Sequence, residues 1–142
     1  MTIFRSGVLI YDDKKALPIL MTNYKNLIGW QKSMNLVKEV YLILKRYPEE
    51  ELFALTSQIK RAAMPIPANI AERIGRNYKK DTIQFLHIAR GSLYELETLL
   101  NIAGMVEILK EKDFQPFSNL IDENIKILNG LINSLEKRKD LK

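Results

Sequence analysis

Between Lys60 and Lys80 the chain places six basic residues, Lys60, Arg61, Arg73, Arg76, Lys79 and Lys80, against a single acid, Glu72. The full chain has 22 Lys and Arg against 17 Asp and Glu, a formal net charge of +5, so this one stretch accounts for the whole excess. Cations at this density suit neutralisation of a phosphate backbone, which requires charge but no base-specific geometry. Tyr78, inside the run, offers a ring on which an unpaired base can stack. A solvated helix end is the plain alternative, with Glu72 and Arg76 as an i,i+4 ion pair worth about 0.3 kcal/mol. The expected nucleic-acid-contacting set is Lys60, Arg61, Arg73, Arg76, Tyr78, Lys79 and Lys80.

Nothing else in the chain converges on chemistry. His87, the one histidine, sits among Phe85, Leu86 and Ile88 and reads as a packed or surface side chain, because spacing identifies no nucleophile or carboxylate to pair with it. Glu95 and Glu97 are two apart and so on different helix faces, whereas a di-metal site in a bundle needs a Glu-x-x-His pair on each of two helices. Gly75, Gly91 and Gly104 are isolated and build no phosphate loop, and no G-x-S-x-G or H-E-x-x-H motif occurs. The absence of cysteine excludes a disulfide scaffold, thiolate metal sites and cysteine nucleophiles. The expectation is a protein that is not an enzyme, with no catalytic residues, metal or cofactor.

The elements that position the cations are helical. From Asn26 the residues Leu27, Trp30, Met34, Val37, Tyr41 and Leu44 recur three and four apart as the main seam, with Leu36, Val40, Ile43 and Tyr47 as a second row beside it. Pro48 ends this helix. A second helix begins near Glu49–Glu51, acids placed at the positive end of its dipole, with Leu52, Leu55, Ile59, Ala62 and Ala63 as its apolar face. Pro65 and Pro67 oppose a straight continuation, but Ala68–Glu72 resume a helical pattern, so a kinked helix ending near Gly75 is expected. The third helix runs from Lys79 to Ile108, with Leu86, Leu93 and Leu100 seven apart and Ala89, Leu96 and Ala103 between them. Gly91-Ser92 in its middle suits the close approach of another helix. The fourth runs from Asp113 to Lys139 on Phe117, Leu120, Ile121, Asn124, Leu128, Leu131 and Leu135. Four such helices with short connections give an all-α, antiparallel up-down four-helix bundle whose second helix is kinked at Pro65/Pro67.

At 142 residues, 46% apolar and 27% charged, the chain is one ordinary globular domain. Residues 1–20 stand apart from the helical pattern. Val8–Tyr11 reads as a short strand or apolar patch, and Met21-Thr22 resembles a second translation start. A poorly ordered extension over 1–20 followed by a bundle domain over 21–142 is expected. No run approaches the roughly 18–20 apolar residues that cross a bilayer, and the N-terminus is a poor secretory signal, so a cytoplasmic location without membrane contact is expected. A sequence pI near 9.4 favours polyanionic partners.

A family resemblance runs along most of the chain. It is carried by Leu27-Ile28-Gly29-Trp30-Gln31-Lys32, Leu55 through Ala63, Ile66-Pro67-Ala68-Asn69-Ile70-Ala71-Glu72 with Gly75-Arg76, Phe85-Leu86, Ala89-Arg90-Gly91-Ser92-Leu93 and Glu95-Leu96-Glu97. These segments resemble, collinearly from Tyr24 to Leu135, the four-helix-bundle proteins encoded within intervening sequences of bacterial 23S rRNA genes. The resemblance implies a homopentamer with a basic surface. It also implies a relation to the accessory variability protein of diversity-generating retroelements, which binds nucleic acid and a reverse transcriptase. Arg73 departs from the family's usual glycine, and Tyr78 from a capping serine, leaving Asn77 as the expected cap. The leading expectation is a non-catalytic, oligomeric bundle binding nucleic acid, RNA above all, without reading its sequence. The alternative is a protein–protein adaptor docking an acidic partner, such as a reverse transcriptase or another nucleic-acid enzyme.

Overall fold

The structure, a computed structural model, describes residues 3–5, 8–10, 24–47, 49–72 and 79–138. Two short strands, β1 (Ile3–Arg5) and β2 (Val8–Ile10), pair antiparallel with Phe4 opposite Leu9. They lie within the expected extension, and its other residues are outside the described set. A 3-10 turn at Tyr24–Asn26 leads into α1 (Ile28–Leu44), α2 (Glu49–Ala63), α3 (Pro65–Glu72), α4 (Lys79–Met105) and α5 (Glu111–Lys137). Because α2 and α3 are two arms of one bent helix, the architecture is the expected four-helix bundle. Helices α1 and α4 stand diagonally, each packed against α5 and against the bent α2/α3 pair.

Cross-helix contacts fix the alternating directions. Arg46, just beyond the end of α1, reaches Asp113 in the first turn of α5, and Lys32 near the start of α1 pairs with Glu123 further along α5. Lys79 at the start of α4 reaches the end of α5. Neighbouring helices therefore run antiparallel.

On α4 the heptad pattern lands as expected: Leu86, Ala89, Leu93, Leu96, Leu100 and Ala103 are all buried. They meet Leu36, Val40 and Ile43 of α1, Ile59, Ala62 and Ala63 of α2, Ile66 and Ile70 of α3, and Phe117, Ile121, Leu128, Ile132 and Leu135 of α5 in one core. Each fully buried large side chain contributes about 1.5–3 kcal/mol.

On α1 the roles of the two apolar rows are exchanged. Leu27 and Leu44, at the two ends of the expected seam, are buried, but between them it is peripheral: Trp30, Val37 and Tyr41 are half-buried and Met34 is 44% exposed, while Leu36 and Val40 of the second row are 0% exposed. The physical reason is that α1 has partners on two sides. Its core row points to the bundle axis, and the other row borders the outer side of the α2/α3 seam, where the Tyr41 hydroxyl donates to the Met64 sulfur at 3.1 Å.

The bend falls at Met64, which separates α2 from α3. Pro65 then opens α3, a position where a missing N–H leaves no helical bond unmade. Pro67 is buried, so the bend is also a packing point.

Helix α4 stops at Met105 rather than Ile108. The Ile108 amide bonds back to the Ala103 carbonyl at 2.9 Å and the Glu107 amide to that of Gly104 at 3.1 Å, with Glu107 in the left-handed region at φ 60. This is a Schellman termination, and it consumes the residues that periodicity assigns to the helix. Helix α5 correspondingly begins at Glu111, with Glu111 and Asp113 in its first turn. Gly91 is exposed, with nothing within 4 Å of where a Cβ would stand, so none of the described helices makes the close approach its size suggests.

Candidate nucleic-acid interface

Lys60 and Arg61 occupy the last turn of α2. Lys60 is half-buried, its ammonium 5.1 Å from the centroid of the Tyr41 ring on α1, a cation–π contact worth about 0.5–1 kcal/mol. Arg61 is exposed and makes no hydrogen bond or ion pair among the described residues.

Lys79 and Lys80 open α4, on the far side of α3. At about 1.5 Å of rise per residue, α3 alone interposes roughly 12 Å of helix. The stretch that is continuous in sequence thus contains two separate pairs of described cations. Arg73, Arg76 and Tyr78, which lie between the pairs, fall outside the described residues.

Adjacent in sequence, Lys79 and Lys80 do different things. The half-buried Lys79 ammonium donates to the backbone carbonyls of Glu136 at 3.0 Å and Arg138 at 2.6 Å. It thereby caps α5, whose last carbonyls have no intrahelical partner. Lys80 is exposed and, among the described residues, has no hydrogen bond or ion pair. At this same end of the bundle α5 contributes Lys137 in its last turn and the buried Arg138.

From Lys80 an open concavity of about 420 Å³ extends along the outer side of α4, lined by Lys80, Ile83, Gln84, His87 and Ile88. His87 is a surface residue, one of the two readings open to it from sequence. Arg90 donates from one guanidinium nitrogen to His87 Nδ1 at 2.7 Å and from another to Asn129 Oδ1 on α5 at 2.8 Å. A guanidinium has no acceptor, so Nδ1 is the acceptor here and the ring proton sits on Nε2. The Glu136 carboxylate is 3.9 Å from Nε2, beyond hydrogen-bond reach. Sequence reasoning omits Arg90 and Asn129. His87 and Arg90 are neighbours at i,i+3 and could be paired from spacing, whereas the link to Asn129, 39 residues away, depends on the fold.

At the opposite end, Asp113 is buried and accepts from Arg46 at 3.0 Å and from the Tyr47 hydroxyl, which in turn accepts from the Lys110 amide. Burial raises the Tyr47 phenol above its ordinary value, and its hydrogen bond to Asp113 adds to the rise. This cluster joins the end of α1 to the start of α5, with Asp113 buried and the Arg46 side chain 57% exposed.

Among the described residues no three acidic or histidine side chains are grouped so as to hold a metal ion, and no helix is long and apolar enough to cross a membrane. The fold defines a class: a four-helix-bundle protein. The family model of the 23S rRNA-intervening sequence protein matches residues 25–130, and the chain belongs to that family. In structure it is similar to a protein of unknown function from the S23 ribosomal protein family of Bacteroides thetaiotaomicron, at 27% identity and a TM-score of 0.68, over 75% of this chain and 96% of that one. No curated protein matches. The matched span agrees with the extent of the resemblance read from sequence, and neither description names an enzymatic activity.

Proposed function

We propose that this protein is a non-catalytic, cytoplasmic nucleic-acid-binding bundle that engages RNA through its surface cations without reading base sequence. The observation that carries the reading is charge placement: residues 60–80 contain the chain's entire positive excess, and Arg61 and Lys80 within it are exposed and free of ion pairs among the described residues. An accessible, uncompensated cation is what releases counterions from a phosphate backbone. The family's description, a protein of 23S rRNA intervening sequences, supports RNA over other polyanions.

One bundle offers few such cations, so the reading includes self-association, as a pentamer by family resemblance, which multiplies the site around an axis. Support comes from the apolar row left outside the core, where Met34 is 44% and Met64 57% exposed.

The test is a gel-shift assay with the triple variant Arg61→Glu, Arg76→Glu, Lys80→Glu, which leaves the α5 cap at Lys79 intact. Loss of RNA retardation is expected. Retardation equal to that of the parent protein would contradict the reading. In the adaptor alternative the same basic face docks an acidic protein partner, and the exposed apolar Ile102, Met105 and Val106 (42%, 81% and 57%) favour a protein contact at the other end of the bundle. A pull-down of a polymerase that survives nuclease treatment would favour it.

A further inference from the structure

We infer that the concavity beside Lys80 is a nucleotide site: it takes one unstacked nucleotide of a single-stranded nucleic acid, with the base held against Ile83, His87 and Ile88 and its phosphate on Lys80. This inference rests on the nucleic-acid reading above and narrows it from a charge effect to a strand preference.

Three features argue for it. The first is composition. A cation, an amide side chain, an imidazole and two aliphatic side chains line one shallow, open hollow of about 420 Å³. Lys80, Gln84 and Ile88 are successive i,i+4 neighbours, so phosphate-binding, hydrogen-bonding and apolar groups follow one another at intervals of about 6 Å along the helix. That spacing suits the phosphate, sugar and base of a single nucleotide.

The second is preorganisation. An exposed histidine ordinarily samples several rotamers, but Asn129 holds Arg90 and Arg90 holds His87 Nδ1. The ring is thereby oriented, with its Nε2 edge towards the Glu136 carboxylate at 3.9 Å and its face open. A chain of three polar side chains across two helices, ending on a surface ring, is the arrangement of a supported binding residue.

The third is selectivity by shape. A base in a duplex is paired and stacked and presents no face to a hollow on a helix side, whereas an unpaired base can lie against a flat ring and aliphatic side chains. Gln84 is exposed and supplies both donors and an acceptor to the sugar hydroxyls between phosphate and base.

The experiment measures fluorescence anisotropy of a labelled single-stranded RNA and of an RNA hairpin duplex, each titrated with parent protein and with His87→Ala, Gln84→Ala and His87→Phe. Removing the ring is expected to weaken single-strand binding about tenfold while leaving duplex affinity and salt dependence unchanged. His87→Phe, which keeps a flat ring, is expected to recover most of the loss. Single-strand affinity within about twofold of the parent in both alanine variants overturns the site while leaving charge-driven binding standing. A phenylalanine variant as weak as the alanine variant overturns the stacking role. A parent protein that binds neither RNA removes the broader reading and this one with it.

Discussion

Asp113 is the one carboxylate buried among the described residues, and its hydrogen-bonding capacity is met from the neighbouring helix. Two donors, Arg46 and Tyr47, arrive from the end of α1 and satisfy it at the first turn of α5, where the helix dipole also favours an anion. Removing the Tyr47 hydroxyl by Tyr47→Phe should destabilise the fold by about 1–2 kcal/mol in urea denaturation. The pH dependence has a definite sign. The folded-state phenol ionises above its ordinary 10.0, so the folded chain holds more protons than the unfolded one just above pH 10. Its contribution is complete below pH 10 and is lost as pH rises through the raised value. Denaturation midpoints measured from pH 9 to 11 should fall more steeply for the parent than for Tyr47→Phe, and parallel profiles would refute the linkage. Lys79 gives a second residue-scale test: Lys79→Met should cost about 1 kcal/mol by uncapping α5 and weaken RNA binding less than Lys80→Met does. Neither role is legible from spacing. Lys79 and Lys80 have the same type and adjacent numbers, and only the packing of α5 against α4 separates a cap from an accessible cation.

At the scale of elements, the four helices are legible because heptad and i,i+3/i+4 patterns are strong and few glycines interrupt them. The bend is legible because two prolines two residues apart are incompatible with a straight helix and Ala68–Glu72 nonetheless favour one. The inward face of α1 is not legible, since its two apolar rows are about equally hydrophobic and partners lie on both sides. Leu36→Ala should therefore cost about 2–5 kcal/mol, whereas Met34→Ala should stay within about 0.5 kcal/mol; thermal denaturation distinguishes the two, and equal losses would restore the outer row as core. The end of α4 is likewise hidden from periodicity, because Val106 and Ile108 continue the apolar pattern beyond the Schellman turn. Glu107 there adopts φ 60 at a cost of about 1 kcal/mol relative to glycine. Glu107→Gly should raise the thermal midpoint even though glycine is a poor helix former, and a lower midpoint would argue against that termination.

For the whole molecule, the distribution of accessible groups matters more than composition. A net charge of +5 is modest, and exposed cations stand at both ends of the bundle: Lys80 and Lys137 where α4 begins and α5 finishes, and Lys45, Arg46, Lys110 and Lys112 at the other, where Met105 and Val106 are also exposed. If copies associate through the outer row of α1, Met34→Glu with Met64→Glu should lower the mass measured by light scattering to that of one chain, and an unchanged mass would exclude that face. The family is legible in sequence because its signature is spread over the bundle rather than held in a short motif; the residues beside Lys80 share one helix face and could be grouped from spacing, but the Asn129–Arg90 support of His87 depends on the fold. The most direct measurement is the affinity of the parent protein for a labelled RNA across a salt series. Phosphate binding predicts a linear fall of log K with log salt, with a slope of about −0.7 per contact on a single strand, and a shallower slope for the Arg61→Glu, Arg76→Glu, Lys80→Glu variant. No measurable binding at low salt, or binding insensitive to salt, would contradict it.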